Sequence, residues 1–188
     1  MCTADRTRGA GREPRPAFIK VWDPFVRLFH WSLVLFFGLA WLTADEWDGA
    51  HEFTGYVVAT LVGLRVVWGL IGTRHARFSD FVFGPAAVAA YVKDSMRLSA
   101  TRYVGHNPAG GALILVLLVL LSATAGTGVM MTMDVFRGMG WVEELHEGVA
   151  GVMLALVIVH VLGVCFASLL HRENLICAMV TGFKRGEP

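Results

Sequence analysis

Two histidines, His146 and His160, stand fourteen residues apart in the stretch VEELHEGVAGVMLALVIVHVLG, residues 142–163, which is nearly all apolar after an acidic start. An ionisable side chain inside a membrane-type segment is costly and marks a functional site. Fourteen residues at 1.5 Å rise span about 21 Å, and fourteen steps of about 100° end about 40° short of four full turns. The two imidazoles therefore lie near one face of one helix, at two depths. Bundle cores hold prosthetic groups with ligands from facing helices, and this spacing suits two such groups stacked between helices.

Each group needs a second ligand at matching depth. His51 opens an apolar segment at the level of His146, and His30 lies about five residues from the other end of the first segment, as the natural partner of His160. His171, twenty-five residues beyond His146, is a rival for that place, but it sits at the membrane edge and His160 is the deeper of the two. Arg65 follows His51 by fourteen residues and so falls at the depth of His160. A bare arginine there asks for an anionic partner, and haem carries two propionates. The sequence offers no Asp or Glu inside a span near that depth. Paired neutral imidazoles at two levels suit bis-histidine haem iron. They suit zinc poorly, because a structural zinc site gathers four ligands at one point. Iron with two axial histidines has no open position, which favours electron transfer. Gly38, Gly55, Gly63, Gly148 and Gly151 would let helices or flat rings approach. The three cysteines, Cys2, Cys165 and Cys177, form no C-x-x-C or C-x-x-C-H. That excludes a zinc ribbon, covalent c-type haem and a four-cysteine cluster, and Cys165 reads as a small buried hydrophobe.

The elements that must position these residues follow from composition. The 188 residues are 55% hydrophobic and 16% charged, with mean hydropathy +0.58, against about 25% charged in a soluble domain. Four stretches reach the roughly 20 apolar residues a spanning helix needs: about 25–43, 51–71, 108–131 and 145–170. The expected fold is an all-α integral membrane four-helix bundle over residues 21–175, with two haems b between the helices. Residues 1–20 read as a disordered basic tail without the apolar middle of a signal peptide, so the first span is an uncleaved anchor. Residues 176–188 read as a second tail. The long connection, 72–107, contains GPAAVAAYVKDSMRL, which reads as a surface helix entered at its proline.

Basic residues orient the bundle. The amino-terminal tail carries Arg6, Arg8, Arg12, Arg15 and Lys20, the long connection carries Arg74, Arg77, Lys93, Arg97 and Arg102, and the carboxyl tail carries Arg172, Lys184 and Arg185. The two short connections carry only Arg137. By the positive-inside rule both termini are cytoplasmic, and the short connections face the periplasm of a bacterial inner membrane.

The motifs VWDPFVRLFHW, HEFTGY, LVGLRVVWGLIGTRHARFSDF, GHNPAGG, LHEGVAGVMLALVIVHVLGV and SLLHRENLICAMVTGFKR resemble the prokaryotic cytochrome b-561 family, related to the cytochrome b subunit of nickel–iron hydrogenase. The resemblance covers nearly the whole chain after the basic tail. It implies a four-helix membrane protein with two b-type haems that passes electrons between quinone and another redox partner. It also implies the ligand pairs His30 with His160 and His51 with His146. Arg74 or Arg77, in the family's GTRHARFSDF motif, would meet an inner-haem propionate or a quinone headgroup. His75, His106 and His171 read as surface or cap residues, with proton exchange at quinone as a lesser role.

Asp45, Glu46, Asp48, Glu52, Asp134, Glu143, Glu144 and Glu147 crowd the short connections and first turns, opposed by Arg137 alone. Such a rim would steer a basic redox protein, for example a c-type cytochrome with a lysine edge. Positive-inside topology and acidic helix starts give the same residues a purely structural origin. Trp47 and Trp141 suit interface anchors. The leading reading is a di-haem carrier moving single electrons between the quinone pool and a periplasmic protein. Three alternatives stay open. Some relatives are superoxide:quinone oxidoreductases, a role the acidic rim opposes because superoxide is an anion. Others are haem-bearing anchors of a larger complex such as a hydrogenase. A haem-free metal transporter would need more ligands than the spans offer.

Overall fold

The computed structural model describes residues 18–186; the basic stretch with Arg6, Arg8, Arg12 and Arg15, and Cys2, lie outside the described residues. Strand β1 (Phe18–Lys20) leads into helices α1 (Pro24–Thr43) and α2 (Asp48–Ile71). A 3-10 turn (Arg74–Ala76), α3 (Phe78–Phe81) and α4 (Pro85–Met96) fill the long connection. Then come α5 (Pro108–Thr132), α6 (Gly140–Leu170), α7 (Leu175–Thr181) and strand β2 (Phe183–Arg185). Helices α1, α2, α5 and α6 are long and apolar enough to cross a membrane. They match the four expected spans. Helix α6 starts five residues earlier than 145, and Val142 in its first turn is fully buried.

Caps set the helix starts. The Asp23 carboxylate accepts the Val26 N–H at 2.9 Å, with Pro24 in the first turn where its missing N–H costs nothing. Asn107 does the same for α5, accepting from Gly110 at 2.7 Å ahead of Pro108. The other Asp23 oxygen accepts from Trp68 Nε1 at 3.2 Å and from the Thr73 hydroxyl, so the cap of α1 also ties down the end of α2.

Helix α1 packs along α2, α2 along α5, and α5 along α6. None of these extensive pairings joins α6 to α1 or α2. In the middle of the bundle Val58, Val62, Leu121 and Met153 form an apolar layer with Phe36, Phe37 and Val157. Large apolar side chains face outward, Leu42 81% and Leu169 79% exposed. That suits a lipid solvent, in which the backbone is satisfied inside each helix. Cys165 is exposed too. Its apolar surroundings in the sequence are the lipid-facing side of α6, so it is not a core residue.

One end of the bundle is capped. Strands β1 and β2 pair antiparallel, Ile19 opposite Lys184, and Val21, Trp22, Val26, Ala76 and Ala178 form a second core with Trp68 and Val104. Residues 18–20 and 176–185, read from the sequence as parts of the two flanking tails, are ordered parts of this cap. Hydropathy does not register a short strand whose partner lies at the opposite end of the chain. Gly111 lets α5 reach the cap, since a Cβ there would stand 2.4 Å from the Phe81 carbonyl oxygen. The expected surface helix appears as α4.

His106 is not a surface residue. Its ring lies 4.6 Å from both Trp22 and Phe81, and its Nδ1 is buried with no partner among the described residues. The polar connection folds under the bundle, which sequence polarity alone cannot register. Burial pushes the imidazole down to about 3, with the positive charges of Arg65 and Lys184 and neighbouring His75 acting the same way and Asp80 opposing. The folded pKa lies below the unfolded 6.5, so this contribution to stability is complete above 6.5 and drains away as pH falls towards about 3. Thermal unfolding in detergent should show a melting temperature that declines below pH 6.5, and His106→Phe, which keeps the ring packing, should flatten the decline.

Candidate functional site

The chemistry-bearing residues fall on seven-residue stripes, two helical turns apart. Helix α2 carries His51, Val58 and Arg65, α6 carries His146, Met153 and His160, and α1 carries His30 and Phe37. Phe37, Val58 and Met153 meet in the central apolar layer. That layer separates a histidine level at the rim of short connections from a second level towards the cap.

At the rim level the rings of His51 and His146 face each other, centroids 6.1 Å apart and planes at 84°. His51 Nδ1 lies 2.9 Å from the Ala40 carbonyl oxygen of α1. His146 Nδ1 lies 3.1 Å from the Thr124 carbonyl oxygen of α5 and 3.0 Å from the Thr127 hydroxyl. A carbonyl oxygen only accepts, so each Nδ1 carries the proton and each Nε2 keeps a lone pair. Backbone carbonyls that fix the tautomer in this way are the usual support of a metal-binding imidazole.

Towards the cap, His30 and His160 come close enough for their charged forms to repel each other. His30 Nδ1 is buried with no partner among the described residues. The neighbours of His171 are instead Arg102, Glu173 and Lys184, which places it in the cap. Arg65 is only 4% exposed. It donates from Nη2 to the Ala76 carbonyl at 3.1 Å and stacks on Phe78 at 5.2 Å, while Nη1 is buried with no partner among the described residues. Asp23 attracts it electrostatically. The sequence shows no acid within the spans at this depth, and Asp23 arrives there because the cap folds around the end of α2. Arg74 lies on the surface of the cap, 80% exposed at its side chain, with Nε 3.5 Å from Asp80. His75 pairs with the same carboxylate at 2.8 Å.

The donor set fits haem. Two imidazoles on one iron, with metal–nitrogen bonds of about 2 Å and each ring centre about 1 Å beyond its nitrogen, stand about 6 Å apart, as His51 and His146 do. Among the described residues no three His, Cys, Asp or Glu side chains converge as a metal cluster; the imidazoles come as pairs. No atom lies within 4 Å of where a Cβ would stand on Gly38, Gly55, Gly148 or Gly151, which leaves room for a flat ring. The same holds for Gly63, but it lines a lateral groove of about 620 Å³ between α2 and α5 together with Ala59, Ser122 and Gly126. The eight acidic residues of the rim are all exposed, and Arg137 is paired with Asp134 at 3.2 Å.

Comparison with known proteins gives one family match. A model described as prokaryotic cytochrome b561 matches residues 21–182. A curated relative from Cupriavidus necator, described as a probable Ni/Fe-hydrogenase B-type cytochrome subunit, is 29% identical over 160 residues, covering 72% of this chain and 66% of the relative. No solved structure matches.

Proposed function

The chain belongs to the prokaryotic cytochrome b561 family, and from that premise we propose that this membrane b-type cytochrome is a two-haem wire. His51 and His146 hold one haem at the rim, and His30 and His160 hold the other towards the cap. The iron supplies one-electron chemistry by cycling between ferric and ferrous states. The chain's own residues do the rest. Ala40 and Thr124 carbonyls hold the rim imidazoles in the ligating tautomer. Phe37, Val58 and Met153 fill the space between the levels and exclude water. The unpaired Nη1 of Arg65 is the donor available to a propionate, and Arg74 supplies surface charge for a propionate or a quinone headgroup at the cap.

The observation that carries this reading is the His51–His146 pair at 6.1 Å with both Nδ1 atoms committed to carbonyls. The wider proposal is that quinone exchanges electrons at the capped end, which faces the cytoplasm of a bacterial inner membrane. The acidic rim then docks a basic periplasmic carrier such as a c-type cytochrome. A second reading has a specific support. The relative is described as a hydrogenase cytochrome subunit, so this chain would be the haem-bearing anchor of a larger oxidoreductase. The purified protein should contain two b haems by pyridine haemochrome and be reduced by a quinol. Electron transfer to a basic cytochrome c should slow as salt screens the rim, over a Debye length of about 8–10 Å at physiological ionic strength. A partner that stays bound through detergent and high salt would favour the anchor reading. Haem-free protein would end both.

A further inference from the structure

Helix α5 holds none of the four proposed ligands, yet two of its residues hydrogen-bond to one of them, His146. Thr127 is buried, and its hydroxyl can donate back to the carbonyls of Ala123 at 2.9 Å or Thr124 at 3.0 Å. That leaves the oxygen's lone pair for the His146 Nδ1–H at 3.0 Å, which it shares with the Thr124 carbonyl at 3.1 Å. The next residue, Gly128, brings the α5 backbone against the ring edge. A Cβ there would stand 3.2 Å from His146 Cε1 and 3.6 Å from Nδ1. The opposing ring of His51 is held from another helix, by Ala40 of α1. Two separate holders on two helices set the 84° between the planes.

We propose that Thr127 and Gly128 form a positioning seat on α5 that fixes the plane of His146 perpendicular to His51 and tunes the rim haem. The proposal rests on the reading of His51 and His146 as axial ligands. Acceptors on Nδ1–H make an imidazole a stronger electron donor, which favours ferric iron. With the imidazole planes held perpendicular, a ferric iron bound there would have two d orbitals nearly equal in energy and would give a strongly anisotropic low-spin electron paramagnetic resonance signal.

The test compares purified wild-type protein with Thr127→Val, Thr127→Ser and Gly128→Ala, by haem content, redox titration and the ferric resonance spectrum. Thr127→Val removes one acceptor, so the rim haem should become easier to reduce. Its reduced-to-oxidised ratio at fixed poise should rise about three- to tenfold, about 30–60 mV at 59 mV per tenfold for one electron. Thr127→Ser keeps the hydroxyl and should stay at the wild-type potential. Gly128→Ala should move the resonance signal because the ring must give way. Haem loss in Thr127→Val but not in Thr127→Ser supports the seat. The seat is overturned if Thr127→Val retains both haems with wild-type potential and spectrum, or if Thr127→Ser loses haem as readily as Thr127→Val. A wild-type protein without a rim haem overturns the functional reading itself, and is told apart because it appears before any substitution is made.

Discussion

Replacing His146 by alanine is expected to remove one of the two proposed haems from the purified protein, and replacing His51 is expected to remove the same one. The haemochrome stoichiometry is expected to fall from two per chain to about one, because the imidazole left behind cannot supply both axial bonds. The two rings lie 6.1 Å apart, with their Nδ1 atoms held by the backbone carbonyls of Ala40 and Thr124 and by the Thr127 hydroxyl. Substituting His30 or His160 should remove the other haem and leave the first with its own midpoint in a redox titration. His171→Ala is the informative control. Its neighbours are Arg102, Glu173 and Lys184, so both haems should remain. Loss of a haem with His171→Ala and its retention with His160→Ala would transfer the ligand role to the end of α6.

The second large effect lies in the cap. Glu173, 8% exposed, accepts from Arg102 Nη2 at 2.9 Å, from Arg102 Nε at 3.3 Å and from the Arg185 backbone N–H at 3.1 Å. The ammonium of Lys184, 5% exposed, lies 3.7 Å away and donates to the carbonyls of Tyr103 and Val104. One carboxylate thus joins the long connection, the end of α6 and strand β2. Glu173→Gln leaves a buried lysine without its counter-charge, at a cost of about 3–5 kcal/mol. The cap should open first, as faster protease cleavage in residues 97–107 while the apolar bundle keeps its helicity by circular dichroism. Adding Lys184→Met should recover part of the loss, because it removes the buried charge that Glu173→Gln leaves without a counter-ion. An unchanged cleavage rate in Glu173→Gln would show that the network carries no stability. Acid acts in the same sense. Burial alone would raise the Glu173 carboxyl, but hydrogen bonds from Arg102 and the charge of Lys184 outweigh it and hold the group below its ordinary 4.5. Its contribution is therefore present above the unfolded pKa and lost as pH falls through the lower folded one.

Much of this protein is legible from one dimension. Four apolar runs of spanning length predict four helices to within a few residues, because a run of about 20 apolar residues in hydrocarbon satisfies its own backbone as a helix. His30, His51, His146 and His160 stand out because buried imidazoles are costly, and helical rise together with position along each span sorts them into two expected depths, with His171 as the rival of His160. The tertiary structure decides what lies beside each of them. Thr127 looks like any small residue in the TAGTG run of α5 until the packing of α5 on α6 brings it to His146. Asp23 belongs to a loop until the cap carries it to Trp68, Thr73 and the neighbourhood of Arg65. His106 has the polar surroundings of a surface residue until the connection closes it between Trp22 and Phe81. Phe18–Lys20 and Phe183–Arg185 lie at opposite ends of the described chain and meet only as a strand pair. Periodicity and transfer cost act along a single segment, whereas hydrogen-bond partners, buried ion networks and ring planes depend on segments distant in sequence that pack together.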